Sequence, residues 1–179
     1  MAARITISSE LYRRMLEHLF SGRTEQLAFL LATPSENDRE TLCVSDLFCV
    51  PSRAFSIQTT YHINLGDEVR AQMIKWAWDN QSSLIEAHSH LGDVDAEFSP
   101  TDIAGLDDFV PHVWWRLQGR PYAALVFSQR GFDALVWMKS PKHFQELAVL
   151  HLAGLRDEHP TSLTMRSVRQ PRGLRYYAI

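Results

Sequence analysis

The stretch Glu86-Ala87-His88-Ser89-His90-Leu91-Gly92-Asp93-Val94-Asp95-Ala96-Glu97-Phe98-Ser99-Pro100-Thr101-Asp102 decides how this chain is read. Residues 83–90 are a compact, mostly apolar run that ends in polar residues, the pattern of a buried strand. Side chains two apart on a strand share a face, so His88 and His90 project together from its end. Ser99-Pro100 marks a helix start, a capping hydroxyl followed by proline at the first helical position. Asp102 falls in the first turn of that helix, where its carboxylate can swing back toward the imidazoles. Two histidines and one carboxylate make a site that zinc accepts. They leave a fourth tetrahedral position for water, the arrangement of a catalytic rather than a structural centre. A plainer reading stands beside this one. Histidine pairs on strands commonly bond to neighbouring polar groups, and Asp102, three residues after Ser99, can be the acidic partner of a capping box. The order of strand, H-x-H, glycine-containing loop and Ser-Pro-x-Asp favours the metal reading.

Outward from this stretch the chain alternates strands and helices. Residues 4–8 read as a strand, and Ser8 or Ser9 caps a helix whose buried stripe is Leu11, Met15 and Leu19 and which Gly22 ends. Residues 25–32 and 41–50 read as two strands joined by a polar loop, and residues 55–64 as another. Gly66-Asp67-Glu68 opens a second helix with acids where the helix dipole favours them, and Val69, Met73, Trp76 and Ala77 form its apolar face. Beyond Asp102, Ile103 and Leu106 face inward, and residues 122–127 and 132–138 form a hairpin. Ser140-Pro141 then reads as the start of a last helix, with Phe144, Leu147, Leu150 and Leu155 apolar. From Asp157 the chain turns locally basic at Arg166, Arg169, Arg172 and Arg175 and ends in two tyrosines. This gives one domain over residues 1–156 and an extension over 157–179. The extension either docks on the domain or a partner, or is a partly ordered tail.

Composition narrows the function. The chain has 179 residues, 45% hydrophobic and 22% charged, which suits one globular domain. Its net charge of -3, from 18 basic and 21 acidic residues, argues against nucleic-acid binding by bulk charge. No apolar run approaches the roughly 20 residues of a membrane span, and the N-terminus lacks a signal-peptide core. Cys43 and Cys49 read as two buried free thiols, so the expected setting is cytoplasmic and reducing. Neither a glycine-rich phosphate loop nor a G-x-S-x-G element is present. The other histidines (His18, His62, His112, His143, His151 and His159) lack ligand spacing. Adjacent Trp114 and Trp115 cannot face the same way on one helix, so one of them is available to a partner.

The motif resembles that of the JAMM, or MPN-domain, metallopeptidases: an upstream Glu, then H-S-H, a loop and S-x-x-D. Here it runs His88-Ser89-His90, then Ser99-Pro100-Thr101-Asp102. The family's upstream Glu lies in a stretch like E-x-x-G-x-L-x-G, which Glu25-Gln26-Leu27-Ala28-Phe29-Leu30-Leu31-Ala32 resembles, with alanine for both glycines. Leu91 stands where a proline is usual, and the path from His90 to Asp102 is one residue longer than the common pattern. The resemblance covers the order of elements over residues 4–153. It implies a single α/β MPN domain, a strongly curved mixed sheet flanked by helices. It also implies one zinc ion per chain on His88, His90 and Asp102, with water completing the set. Glu25 would move the water's proton to the leaving amine, and Ser99 would donate a hydrogen bond to the oxyanion. By spacing alone Glu86, two before His88, is the rival base. Asp93, Asp95 and Glu97 read as solvated loop acids or substrate contacts. The implied substrate is the C-terminal tail of ubiquitin or a ubiquitin-like protein, processed alongside activating and conjugating enzymes, in some prokaryotic members during antiphage defence. Two other readings remain: a non-catalytic scaffold that binds a partner through its tryptophans and basic tail, and a metal-dependent hydrolase of small-molecule amides.

Overall fold

The computed structural model describes residues 2–60 and 62–169. In chain order its elements are β1 (Ala3–Ser8), α1 (Ser9–Leu19), β2 (Leu27–Pro34), β3 (Thr41–Cys49), β4 (Phe55–Gln58), β5 (Ile63–Leu65), α2 (Asp67–Asp79), β6 (Ser83–Ser89), α3 (Pro100–Arg116), β7 (Tyr122–Ser128), β8 (Gly131–Trp137), β9 (Gln145–Ala153), β10 (Arg156–Glu158) and α4 (Leu163–Arg169). Seven strands close into a barrel in the order β1-β3-β2-β6-β7-β8-β9 and back to β1. β10 adds to the end of β9.

Closure corrects the fold expected from the sequence, a helix-flanked curved MPN sheet. The error lies in residues 145–153. They form no helix; they are β9, which pairs with β8 on one side and in parallel with β1 on the other. The register explains the misreading. Ala3 faces Leu147 while Arg4 faces Val149, so Ala148 is an extra residue bulged out of the ladder. A bulge breaks the alternation of a strand and re-aims the side chains beyond it. Leu147 and Leu150, three apart as on a helix, therefore both point inward, followed at strand spacing by Leu152. Leu155, which the helical reading places on the same face, is 71% exposed. Residues 55–64 also differ from the single strand expected: they turn back as the hairpin of β4 and β5.

The barrel strands bury both faces. The inner cluster includes Ile5, Ile7, Leu30, Ile85, Leu125, Phe132 and Leu150, and α1 delivers Met15 and Leu19 into it. Ser8 caps α1, its hydroxyl accepting the Leu11 N–H at 3.2 Å. The outer cluster joins Leu31, Leu84, Tyr122 and Trp137 to α2 and α3 through Met73, Ile74, Leu106 and Val110. Trp114 packs partly against this cluster, whereas Trp115 is exposed. The two cysteines sit half-buried and unpaired on β3. The 156/157 boundary runs through β10, and residues up to Arg169 dock on the barrel, with Thr164 and Met165 buried. Arg172, Arg175 and the terminal tyrosines lie outside the described residues. Among the described residues no helix is long and apolar enough to cross a membrane.

The strand and helix readings of residues 145–155 separate by mutation. Leu150→Ala empties a fully packed position on the closing strand and is expected to cost about 2–5 kcal/mol. Leu155→Ala should change stability by no more than about 0.5 kcal/mol. Urea unfolding of both variants checks this; equal losses would restore the helix.

Candidate metal centre

β6 lies mid-sheet, antiparallel to β2 and parallel to β7, and its outer face carries Leu84, Glu86 and His88. His90 follows the strand's last residue, its N–H donating to the Phe127 carbonyl at 2.8 Å, so the backbone stays paired through the second histidine. The third donor arrives from α3. Ser99 and Asp102 form a full capping box: the Asp102 N–H donates to the Ser99 hydroxyl at 3.1 Å, and the Ser99 N–H donates to Asp102 Oδ2 at 2.7 Å. The cap fixes the first turn and aims the carboxylate at the histidines.

His88 Nε2 and His90 Nε2 are 3.3 Å apart, and Asp102 Oδ2 lies 3.6 Å from the first and 3.2 Å from the second. A tetrahedral ion with bonds of about 2.0–2.1 Å separates its donors by roughly 3.3 Å, so these three atoms are spaced to share one small cation. The group, His88 buried and the other two half-buried, could hold a metal ion. Glu25 lies just before β2 and is buried; its Oε1 is 4.0 Å from His90 Nε2. Its backbone is pinned by the β4–β5 hairpin: the Glu25 N–H donates to the Thr59 carbonyl and Gln58 Nε2 donates to the Glu25 carbonyl. All five residues that the motif singles out thus meet at one end of β6.

Ser89 is a contributor that the sequence reading does not single out. It points away from the histidines and is fully buried, its hydroxyl accepting the Gln26 N–H at 3.0 Å while its N–H donates to the Gln26 carbonyl. The serine between the histidines ties their strand to the segment bearing Glu25. Alternation along β6 carries that signal, since any residue between His88 and His90 must face the other way.

The electrostatics divide the acids. Burial alone would raise the Asp102 carboxyl, but hydrogen bonds with His88, His90 and Ser99 outweigh it and hold it well below the usual carboxylate range. The same pairing outweighs burial at His88 and raises its imidazole. At Glu25 desolvation dominates and pushes the carboxyl up, with His90 and His88 only partly opposing. Glu86 is also pushed up by burial, and its Oε2 is already occupied by the Tyr122 hydroxyl at 2.5 Å.

The centre opens onto a cleft of about 350 Å³ between α3 and the β4–β5 hairpin, lined by Ile63, Asn64, Leu65, Arg70, Gly105 and Phe109 among others. Glu86 and His62 reach the same cleft, although nothing in the spacing of His62 marks it. The loop acids have partners of their own, and Asp93 and Asp95 are exposed to solvent. Arg130 holds Asp93 through two bonds of 2.7 and 2.8 Å and reaches Asp95 at 3.5 Å, while Glu97 accepts from Ser167.

Compared with known proteins, the chain matches no family model and no curated protein.

The Ser99 hydroxyl has one role visible in the fold, which gives a test. Ser99→Ala is expected to cost about 0.5–2 kcal/mol of stability through loss of the cap, and Ser99→Asp much less. Denaturant unfolding of the metal-free protein reads this; no loss in Ser99→Ala would remove the capping role.

Proposed function

We propose that this chain is a zinc-dependent hydrolase of amide or isopeptide bonds, working by the chemistry of the JAMM metallopeptidases. The observation that carries the reading is the meeting of a buried carboxylate, Glu25, with three donors spaced for one cation. Folds host many functions, so the reading rests on the site and not on the barrel.

His88, His90 and Asp102 are the residues that would hold the ion. Zinc bound there would acidify a water toward a pKa of about 7 and polarise a carbonyl. Glu25, kept from solvent and raised by burial, is placed to accept a proton beside His90 and pass it to a leaving amine. Ser99 accepts the Asp102 N–H on its oxygen and still carries one O–H donor, beside the Asp102 carboxylate. A hydroxyl can therefore cap α3 and also stabilise a developing oxyanion. Glu86 is the weaker candidate for base, because Tyr122 already holds one of its oxygens.

The cleft favours an extended peptide. Among the described residues β5 pairs only with β4 in its two-stranded sheet, and Ile63, Asn64 and Leu65 line the cleft. An incoming strand can add to such an edge. Gly105 leaves the facing wall of α3 without a side chain, so the channel suits a tail of small residues such as that of a ubiquitin-like protein. An activating or conjugating enzyme would then act on the same substrate. A partner-binding role has its own observation: Trp78 and Trp115 are exposed, each with an arginine over its ring.

Metal analysis of the purified chain should find about one zinc per native chain, lost in His88→Ala with Asp102→Ala. Glu25→Gln should keep the zinc while cleavage of fusions to ubiquitin-like proteins falls by roughly 10²–10⁴. Absence of metal in a folded native protein after zinc is offered would sink the hydrolase and favour the partner-binding role. Zinc with turnover only of small amides would replace the peptide substrate.

A further inference from the structure

The register of the barrel sets a row of outward-facing residues across three strands: His88 on β6 faces Val126 on β7, which faces Asp133 on β8. Neighbouring strands are about 4.8 Å apart, so Asp133 lies two strands, roughly 10 Å, from a candidate metal ligand. Asp133 is 0% exposed, a costly place for a carboxyl unless it is hydrogen-bonded. Its partners are backbone groups, two of them in the C-terminal segment. Thr164 N–H donates to Oδ2 at 2.9 Å, Ser162 N–H donates to Oδ1 at 3.2 Å, and Ala134 N–H reaches Oδ1 at 2.9 Å. Ser162 takes a left-handed φ of 58°, uncommon for a residue with a side chain, and its hydroxyl donates to Glu146. The Thr161 N–H donates to the Phe132 carbonyl at 2.8 Å.

The same segment grips the loop before α3. The Phe98 N–H donates to Thr164 Oγ1 at 3.0 Å, a buried bond between residues 66 apart in sequence. The Thr161 hydroxyl donates to the Ala96 carbonyl at 2.6 Å, and the Ser167 hydroxyl donates to Glu97 at 2.5 Å. Phe98 sets its ring edge-on to His88 at 5.7 Å and immediately precedes Ser99. Three successive loop residues are thus fixed from one side by residues 161–167, and the next is the cap that aims Asp102.

We propose that residues 161–167, anchored on Asp133, are a strap that positions the metal centre, with Thr164 and Thr161 as positioning residues that set its metal affinity. The proposal rests on the metal reading above. Partners one shell beyond metal ligands are commonly worth about 10–100-fold in metal affinity, and the strap acts one step further out, through the loop backbone.

The test compares the full-length chain with Thr164→Val, which keeps shape but removes the acceptor for the Phe98 N–H, Thr164→Ser, which restores it, and Thr161→Val. Zinc affinity is measured by chelator competition, the visible spectrum of the cobalt-loaded protein reports ligand geometry, and melting of the metal-free protein reports stability. Thr164→Val and Thr161→Val should each weaken zinc by about tenfold and alter the cobalt spectrum, with Thr164→Ser within about threefold of the native chain. If Thr164→Val does not fold, Thr161→Val, nearer the surface, carries the comparison. Lower melting with unchanged zinc affinity and an unchanged cobalt spectrum would overturn the strap and leave the metal centre standing. A native chain that binds no zinc would overturn the centre, and the strap with it.

Discussion

β1 uses both of its edges. It pairs in parallel with β3 on one side and with β9 on the other, and that double pairing turns an eight-stranded sheet into a barrel. Closure removes the open edges through which the seven ring strands could otherwise slip or aggregate. It also settles what each strand can face. With the inner face filled by Ile5, Ile85, Leu125, Leu150 and the α1 residues Met15 and Leu19, functional side chains on β6 have only the outer face, where α3 and the β4–β5 hairpin overlie them. A one-residue slip of β6 would send His88 inward and Ser89 out. Its pairing on both sides, with β2 and β7, guards against that slip.

Around that face the fold gathers three acids beside the two histidines. Glu25, Glu86 and Asp102 surround the histidines, and Arg70, set over the Phe109 ring at 4.8 Å, lines the cleft beside them. Burial raises Glu25 and Glu86, while contact with the histidines lowers Asp102. Environments that push acids in opposite directions within one site are those that divide roles, one group held as an anion and another ready to take a proton. A small divalent cation among the three donors would favour the ionised form of every acid nearby.

The parts of the site legible in sequence are those whose geometry is local. H-x-H on a strand needs only the two-residue repeat, and Ser99-Pro100 with Asp102 needs only cap chemistry, so both read correctly as local structure. Glu25 is reached through family resemblance and not through spacing, since its nearness to His90 depends on β2 lying beside β6. The parts that do not read depend on distant pairing. The bulge at Ala148 gives β9 an apparent helical repeat, and what overrides it is the pairing to β1, some 145 residues earlier in the chain. The hairpin in residues 55–65 and the anchoring of Thr164 by Asp133 are equally invisible to a local window. The basic composition of the extension draws attention to its arginines, whereas its contacts with the loop run through threonine and serine hydroxyls.

The loop between the histidines and α3 shows why such outside support matters. It carries Leu91, which does not restrict the backbone as a proline would, followed by Gly92 at a φ of 93°. A loop of that composition has more conformations to lose on ordering. Cross-links from elsewhere in the fold oppose that freedom: Arg130 from the β7–β8 turn grips Asp93 and reaches Asp95, and Thr161, Thr164 and Ser167 hold Ala96, Phe98 and Glu97. The exposed Arg130 contacts, screened by water, contribute little on their own. The Phe98–Thr164 bond is buried, and breaking it would strand an N–H away from solvent, so it weighs most. Order that local sequence does not build into the loop is supplied from the barrel wall through Asp133, along the row of residues that begins at His88.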